Sequence, residues 1–489
     1  MIKHLSIFLL LCFIGFSKTL SSQIDPDSIF NRNILIQDIY SLKKTILDSH
    51  PNPYAFCSKE EFTKAFGRAA EKIDRNMPLK EYVRVVQQAM AVMKDSHSGI
   101  EYSHLQKMQI NNGFGFIPVR MHSANGQLYV EMDRDSIMPK GARIVCIDNI
   151  EAIRLYQESV YYAHIEGNAI TGQRRISDAI FPFVVELYHD LPDTVKIDVE
   201  PFGTDTIITF SYPLFNKESW AKRQKYLAET DFQRTVGLDF YRHDSLAVLR
   251  VGTFSPSNGK RYRDFIYGAF KEIKKRNVKY VAIDIRGNGG GQSTNVEYLY
   301  SFLDLKGYNT PDNIIGKAST LSKSRNKLAG NKTALWFMNI FNKKNEDVMG
   351  FVKLSRLENG LMDTVYFSQP RMQDTSVVYT GPCALFINGL TASAGVDFTN
   401  AFLSKKRGEV LGEPCLGPKT GTFGNPALYT LPNTKLRLTI STIRYNYDAT
   451  FQYEANPLKP TIDIPLRQEN LAKGIDPCVN HVIYELLKK

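Results

Sequence analysis

The sequence predicts a multidomain α/β protein with a helical start, a β-rich middle and a core built on a mainly parallel sheet. Apolar residues recur at helical spacing up to about residue 108. Short alternating runs replace them from about 110 to 213, and strands alternate with helices from about 216 onward. A chain of 489 residues is also too long for a single ordinary core.

Each part can be justified in order. Residues 60–74 (EEFTKAFGRAAEKID) suit a helix, and Leu79, Tyr82, Val83, Val86, Met90 and Met93 form one buried stripe that ends at Lys94, before Asp95-Ser96-His97-Ser98-Gly99. In the middle part, 116–119, 128–131, 142–147 and 195–199 read as strands. The stretch 138–149 (MPKGARIVCIDN) resembles the turn and strand of a PDZ domain, which binds an extended peptide at a sheet edge; a plain β-rich domain is the other reading. In the last part, 246–251 reads as a strand and 262–275 as a helix. Residues 278–285 and 383–387 are nearly all apolar, as strands buried on both faces are. Residues 309–378 are polar and irregular around Trp336 and Phe337, and suggest a lid or rim. The implied domains are 23–108, 109–215 and 216–489, the last carrying the 309–378 insertion.

The first residues read as a secretory signal, 1–22. Lys3 and His4 precede an apolar run from Leu5 to Phe16, with Ser21 and Ser22 after it. The run is short of the roughly 20 residues a bilayer crossing needs. The expected location is therefore secreted or periplasmic, without stable membrane insertion. Removing Cys12 leaves Cys57, Cys146, Cys383, Cys415 and Cys478, too sparse a set for a disulfide framework or a zinc site. The formal charge of +11 is dispersed, with no basic arm or aromatic-basic stripe, so nucleic acid is not an expected partner.

Two segments carry chemistry. Thr391-Ala-Ser-Ala-Gly-Val-Asp397 lies where a buried strand turns into a helix. Small neighbours leave the Ser393 hydroxyl accessible, and the helix start offers unpaired N–H groups to a developing oxyanion. Taken alone, Ser393 reads more readily as a helix cap, a common role for serine. Asp284-Ile-Arg-Gly-Asn-Gly-Gly-Gly291 follows the other buried strand. Its glycines allow close backbone approach, but it lacks the Gly-Lys-Ser/Thr ending of a phosphate loop, so phosphate and oxyanion binding stay open for it in isolation.

The pair DIRGNGGG and TASAGVDF, followed by Gly412-Glu413 and a Pro-rich ending, resembles the tail-specific (C-terminal processing) serine peptidases, tricorn-like and retinoid-binding-protein-like members included. The resemblance runs in order along the mature chain, through His50-Pro-Asn-Pro-Tyr54 and Asp95-Ser-His97-Ser. It implies a crotonase- or Clp-protease-like core, Ser393 as nucleophile, and an oxyanion hole from the backbone N–H of Ala394 and of Gly290 or Gly291. It offers two bases. His97 fits the tricorn-like histidine, with Glu454 as its carboxylate. Lys419 lies one residue beyond the lysine position of the other branch, where Pro418 stands. The sequence has Pro-Thr-Ile-Asp where the family ends in Pro-Asp-Ile. The implied activity is endopeptidase cleavage of peptides or unfolded segments without metal or organic cofactor. The alternative is a secreted peptide- or hydrophobic-ligand-binding protein of the same fold. Arg286 and Asp284 are expected to hold the glycine loop, and Asn288 to cap its turn. Natural substrate and oligomeric state are not legible.

Overall fold

The computed structural model describes residues 25–133, 135–222, 225, 235–304, 313–325, 352–366, 377–447 and 453–488. The expected signal segment 1–22 lies outside them, as does much of 309–378, with Trp336 and Phe337.

The N-terminal part packs α1 (Arg32–Ser49), α2 (Lys59–Lys72), α3 (Leu79–Met90) and α4 (Tyr102–Asn111) around one apolar cluster. Ser58 caps α2 through a reciprocal bond with Glu61. The stripe read from the sequence is buried: Leu79, Tyr82, Val83, Val86 and Met90 all lie inside. After a short 3₁₀ turn, Lys94 adopts a left-handed conformation (φ 50°), which ends the helical run and turns the chain into 95–98. The two-residue strand β1 (Gly99–Ile100) follows.

The middle part is an antiparallel sheet in the order β2 (Val119–Ala124), β3 (Gln127–Asp133), β4 (Arg143–Ile147), β5 (Thr194–Glu200), β6 (Ile208–Pro213). It also holds α5 (Ala152–Ser159) and α6 (Ile170–Val184), which the strand-only reading of 110–213 missed. α6 lies along β2 and against the next part of the chain.

The core sheet runs β7 (Val236–Tyr241), β8 (Leu246–Val251), β9 (Tyr280–Asp284), β12 (Cys383–Ile387), β13 (Glu409–Gly412), β18 (Ile462–Asp463). Every pairing is parallel except β7 with β8. Strands β9 and β12 are buried at every position, which explains their unbroken apolar sequence. They are neighbours, with Asp284 opposite Phe386. Parallel strands are joined by crossovers, here α7 (Gly259–Lys275) before β9, α8 (Ser293–Tyr300) after it, and α9 (Ala394–Ser404) after β12.

Among the described residues there are also three small sheets, the least of them the pairing of Ile29–Phe30 with Met77–Pro78. β10 (Asn313–Lys317) and β11 (Met362–Tyr366) pair with β14 (Gly421–Gly424) and β17 (Ile443–Asn446) in the order β11-β10-β17-β14. Part of 309–378 is thus regular structure rather than the irregular lid or rim expected. β15 (Ala427–Thr430) and β16 (Arg437–Ile440) form a sheet with β1. That last pairing sets Ile100 opposite Leu438, so the chain's helical start is stitched to its C-terminal third. The cysteines of the described residues are all unpaired thiols.

Candidate active site

Because β9 and β12 are adjacent and parallel, the loops that leave their C-terminal ends emerge side by side. Those loops are 285–291 and 388–393, the two segments singled out in the sequence. Hydrogen bonds lock one to the other: Ala392 N–H to Asn288 O at 3.0 Å, Gly287 N–H to Asn388 Oδ1 at 2.9 Å, and Thr391 Oγ1 to Ile285 O at 3.1 Å. Asn288 spans the turn, its Nδ2 donating to Val251 O at 3.0 Å and its Oδ1 accepting the Gly290 N–H at 2.8 Å. Arg286 binds Asp284 and also Asp476, tying the glycine loop to the C-terminal segment.

Ser393 sits at the head of α9 with φ 50° and ψ −122°, a conformation disfavoured for a non-glycine residue. Bonds on either side over-determine it: Val396 N–H donates to Ser393 O at 2.9 Å, the Tyr447 hydroxyl donates to the same oxygen at 3.0 Å, and Leu416 N–H holds Thr391 O at 2.9 Å. Its side chain makes no capping bond, so the cap reading of this serine does not describe the fold. Gly290 (φ +104°) comes so close that a Cβ there would stand 2.7 Å from Ser393 Cβ and 2.9 Å from the Ala394 nitrogen. Of the three oxyanion candidates, Ala394 stands at the helix start beside Ser393. The Gly290 N–H is committed to Asn288. Gly291 (φ +142°) is packed against the backbone of Phe254 and Ser255.

His97 enters from the helical start. The loop 95–98 is organised by the buried Asp95: its Oδ1 accepts His97 N–H at 2.9 Å, and its Oδ2 contacts His50 Nε2 at 3.1 Å and the Ser98 hydroxyl. Asn52 N–H donates to His50 Nδ1, leaving Nε2 as the donor to Asp95. Burial alone would raise the Asp95 carboxyl, but His50, His97 and Ser98 outweigh it and hold the group well below the ordinary range. The His97 side chain is 19% exposed, and burial lowers its pKa against the opposing charge of Asp95.

A residue that no sequence pattern flagged completes this region. Glu166 is fully buried. Its Oε2 accepts Ser96 N–H at 2.8 Å and Ser96 Oγ–H at 2.7 Å, and its Oε1 accepts from Thr422 Oγ1 at 3.1 Å and Phe423 N–H at 3.3 Å. Burial first, and then the charge of Asp95, push its pKa up to about 8. The only signal in the sequence is a lone acid among small and apolar residues (Ala163, Ile165, Ala169). Asp95, His97 and Glu166 each offer a ligand atom within 4.8 Å of the others, a spacing a cation could use. All four carboxylate oxygens, however, already face hydrogen-bond donors. A Cβ at Gly417 would stand 3.3 Å from Val396 Cγ2 and 3.8 Å from Glu166 Cγ, so Glu166 lies near the first turn of α9, which Ser393 heads. Among the described residues no hydrogen bond joins Ser393 Oγ to His97; such contacts are often long before substrate binds.

Two other predicted residues, Glu454 and Lys419, pair with each other. Glu454 stands 3.4 Å from Lys419 Nζ, with its N–H on Thr420 Oγ1 at 3.3 Å, and does not pair with His97. The reason is spatial: the buried ground beside His97 is taken by Asp95 and Glu166, and the half-exposed Glu454 meets the exposed ammonium instead. Lys419 is 60% exposed and lacks the desolvation a lysine base requires. Glu413 makes a two-pronged ion pair with the buried Arg175 of α6, which also binds Asp178 and Ser123 O.

Residues 245–464 match the family model for peptidase family S41. A mutant of CPAF superposes with a TM-score of 0.62 at 14% identity, over 94% of this chain and 96% of that one. Mature CPAF complexed with lactacystin superposes with 0.63 at 13% identity, over 94% and 99%. At such identities the likeness is one of fold. No curated protein matches the sequence. The matched segment contains both interlocked loops, the fold is shared along nearly the whole length, and residues 245–464 form a domain of peptidase family S41, the serine-type, tail-specific peptidases.

Proposed function

We propose that the chain is a secreted or periplasmic endopeptidase that cleaves peptides or unfolded protein segments through a Ser393 acyl-enzyme. The observation that carries this reading is the interlock of the 285–291 and 388–393 loops, which fixes Ser393 in a strained conformation at a helix start. His97 accepts the Ser393 proton as the hydroxyl attacks the scissile carbonyl. The Ala394 N–H stabilises the oxyanion, with the glycine loop supplying the second donor once the Gly290–Asn288 bond opens. The imidazolium then protonates the leaving amine. Water attacks the acyl-enzyme, giving its proton to His97, which returns it to Ser393 Oγ as the Oγ–acyl bond breaks and the acid leaves. On this reading the sheet of β8, β9, β12 and β13 is a crotonase-like core. The β-rich part, near 109–215, is PDZ-like and serves to recruit peptide.

The test is reaction of the folded chain with a fluorophosphonate probe. Labelling is expected for wild type and expected to vanish in Ser393→Ala and His97→Ala while persisting in Lys419→Ala. Loss in Lys419→Ala with retention in His97→Ala would move the base to the lysine.

A further inference from the structure

A histidine base works only if the proton on its far nitrogen is fixed, so that the near nitrogen presents a lone pair. The carboxylate expected for that task, Glu454, faces Lys419. Asp95 does not supply the contact either: its Oδ1 lies 4.0 Å from His97 Nδ1, beyond hydrogen-bond range, and is taken by the His97 N–H. The atom that does approach Nδ1 is Ser96 Oγ, at 3.3 Å.

Ser96 is held at all of its polar groups. Its N–H and its hydroxyl both point to Glu166 Oε2, and its carbonyl stands 3.3 Å from Nδ1 of the buried His164. A hydroxyl has one proton. With that proton given to Glu166 at 2.7 Å, only lone pairs remain to face His97, and Nδ1 must carry the hydrogen. Because the fully buried Glu166 carboxyl is itself fixed by Thr422 and Phe423, the orientation is built in before substrate arrives. It also survives protonation of Glu166. A protonated Oε1 can donate a hydrogen bond to Thr422 Oγ1, whose own hydrogen then turns to the Phe423 carbonyl 3.1 Å away, and Oε2 stays an acceptor.

We propose that Glu166 is a positioning residue: acting through the Ser96 hydroxyl, it holds His97 with Nδ1 protonated and Nε2 free to take the Ser393 proton. This rests on the reading of His97 as base. It places the orienting acid in the segment before α6, far along the chain from Glu454.

The experiment compares Ser96→Ala, Ser96→Thr, Glu166→Ala, the Ser96→Ala/Glu166→Ala pair and Glu454→Gln in the full chain. The readouts are the fluorophosphonate labelling rate and cleavage of fluorogenic casein, with folding checked by circular dichroism. Ser96→Ala is expected to slow labelling and lower kcat about 100-fold with KM little changed, and Ser96→Thr, which keeps the hydroxyl, to return to within about tenfold of wild type. Glu166→Ala is expected to match Ser96→Ala, and the double variant to be no worse than either single one, because both break the same relay. Should Glu166→Ala fail to fold, the Ser96→Ala and Ser96→Thr comparison still decides. A Ser96→Ala rate within about threefold of wild type overturns the proposal, as does a Glu454→Gln loss equal to that of Ser96→Ala. Undiminished labelling of His97→Ala would instead sink the assignment of the base itself, which separates the two failures.

Discussion

Around His97 each buried acid has donors on both oxygens, while burial of the imidazole outweighs the charge of Asp95 beside it. That arrangement lowers the His97 pKa, so the neutral form that can act as a base persists below the ordinary histidine value of 6.5. The acid limb of kcat/KM is therefore expected to lie below pH 6.5, measured with a substrate whose own groups do not titrate there. A limb at or above 6.5 would mean that His97 is not the titrating base. At this scale the sequence was legible where chemistry and local pattern coincide. Ser393 and His97 stand in short motifs whose neighbours are small or polar. Glu166 was not legible, because what makes it matter is burial and a contact to Ser96 across 70 residues of sequence. Glu454 was read from a local motif, whereas its partner in the fold, Lys419, lies in another segment of the chain.

Elements matter here chiefly through the ends of β9 and β12. The glycine loop needs its glycines for two distinct reasons, the positive φ of Gly290 and the lack of room beside Ser393. Gly290→Ala is expected to cut kcat at least about 100-fold through the displaced nucleophile and oxyanion donors, while the circular dichroism spectrum stays native. Labelling by fluorophosphonate at the wild-type rate would show that the loop is not part of the machinery. The buried parallel strands and α9 could be read from unbroken apolar runs and the switch to helical spacing. Helices α5 and α6 could not. α6 carries Arg175 and Asp178 at positions whose burial depends on partners in other parts of the chain, so its sequence shows no clean apolar helical face.

The parts of the molecule are held together by polar as well as apolar contacts. Arg175 joins α6 to Glu413 of the core and to the β2 backbone at Ser123, all buried. Truncating it leaves Glu413 and Asp178 without their partner, and Arg175→Ala is expected to cost about 3–5 kcal/mol, read as a lowered thermal midpoint. An unchanged midpoint would mean that the two parts are not coupled through this bridge. The order of helical, β-rich and α/β textures was visible in the sequence. The way the last third folds back on the first was not, because the pairing of Gly99–Ile100 with Leu438–Thr439 involves too few residues to leave a pattern.

That small pairing has a consequence for the timing of activity. The segment bearing His97 and the segment bearing Ser393 are synthesised far apart, and the strand that clasps the first comes only after the second. A chain still emerging from the ribosome therefore holds both segments before the strand that clasps the first has been made. If His97 and Ser393 act together as proposed, activity has to wait for residues 438–439 to be made and to pair with 99–100.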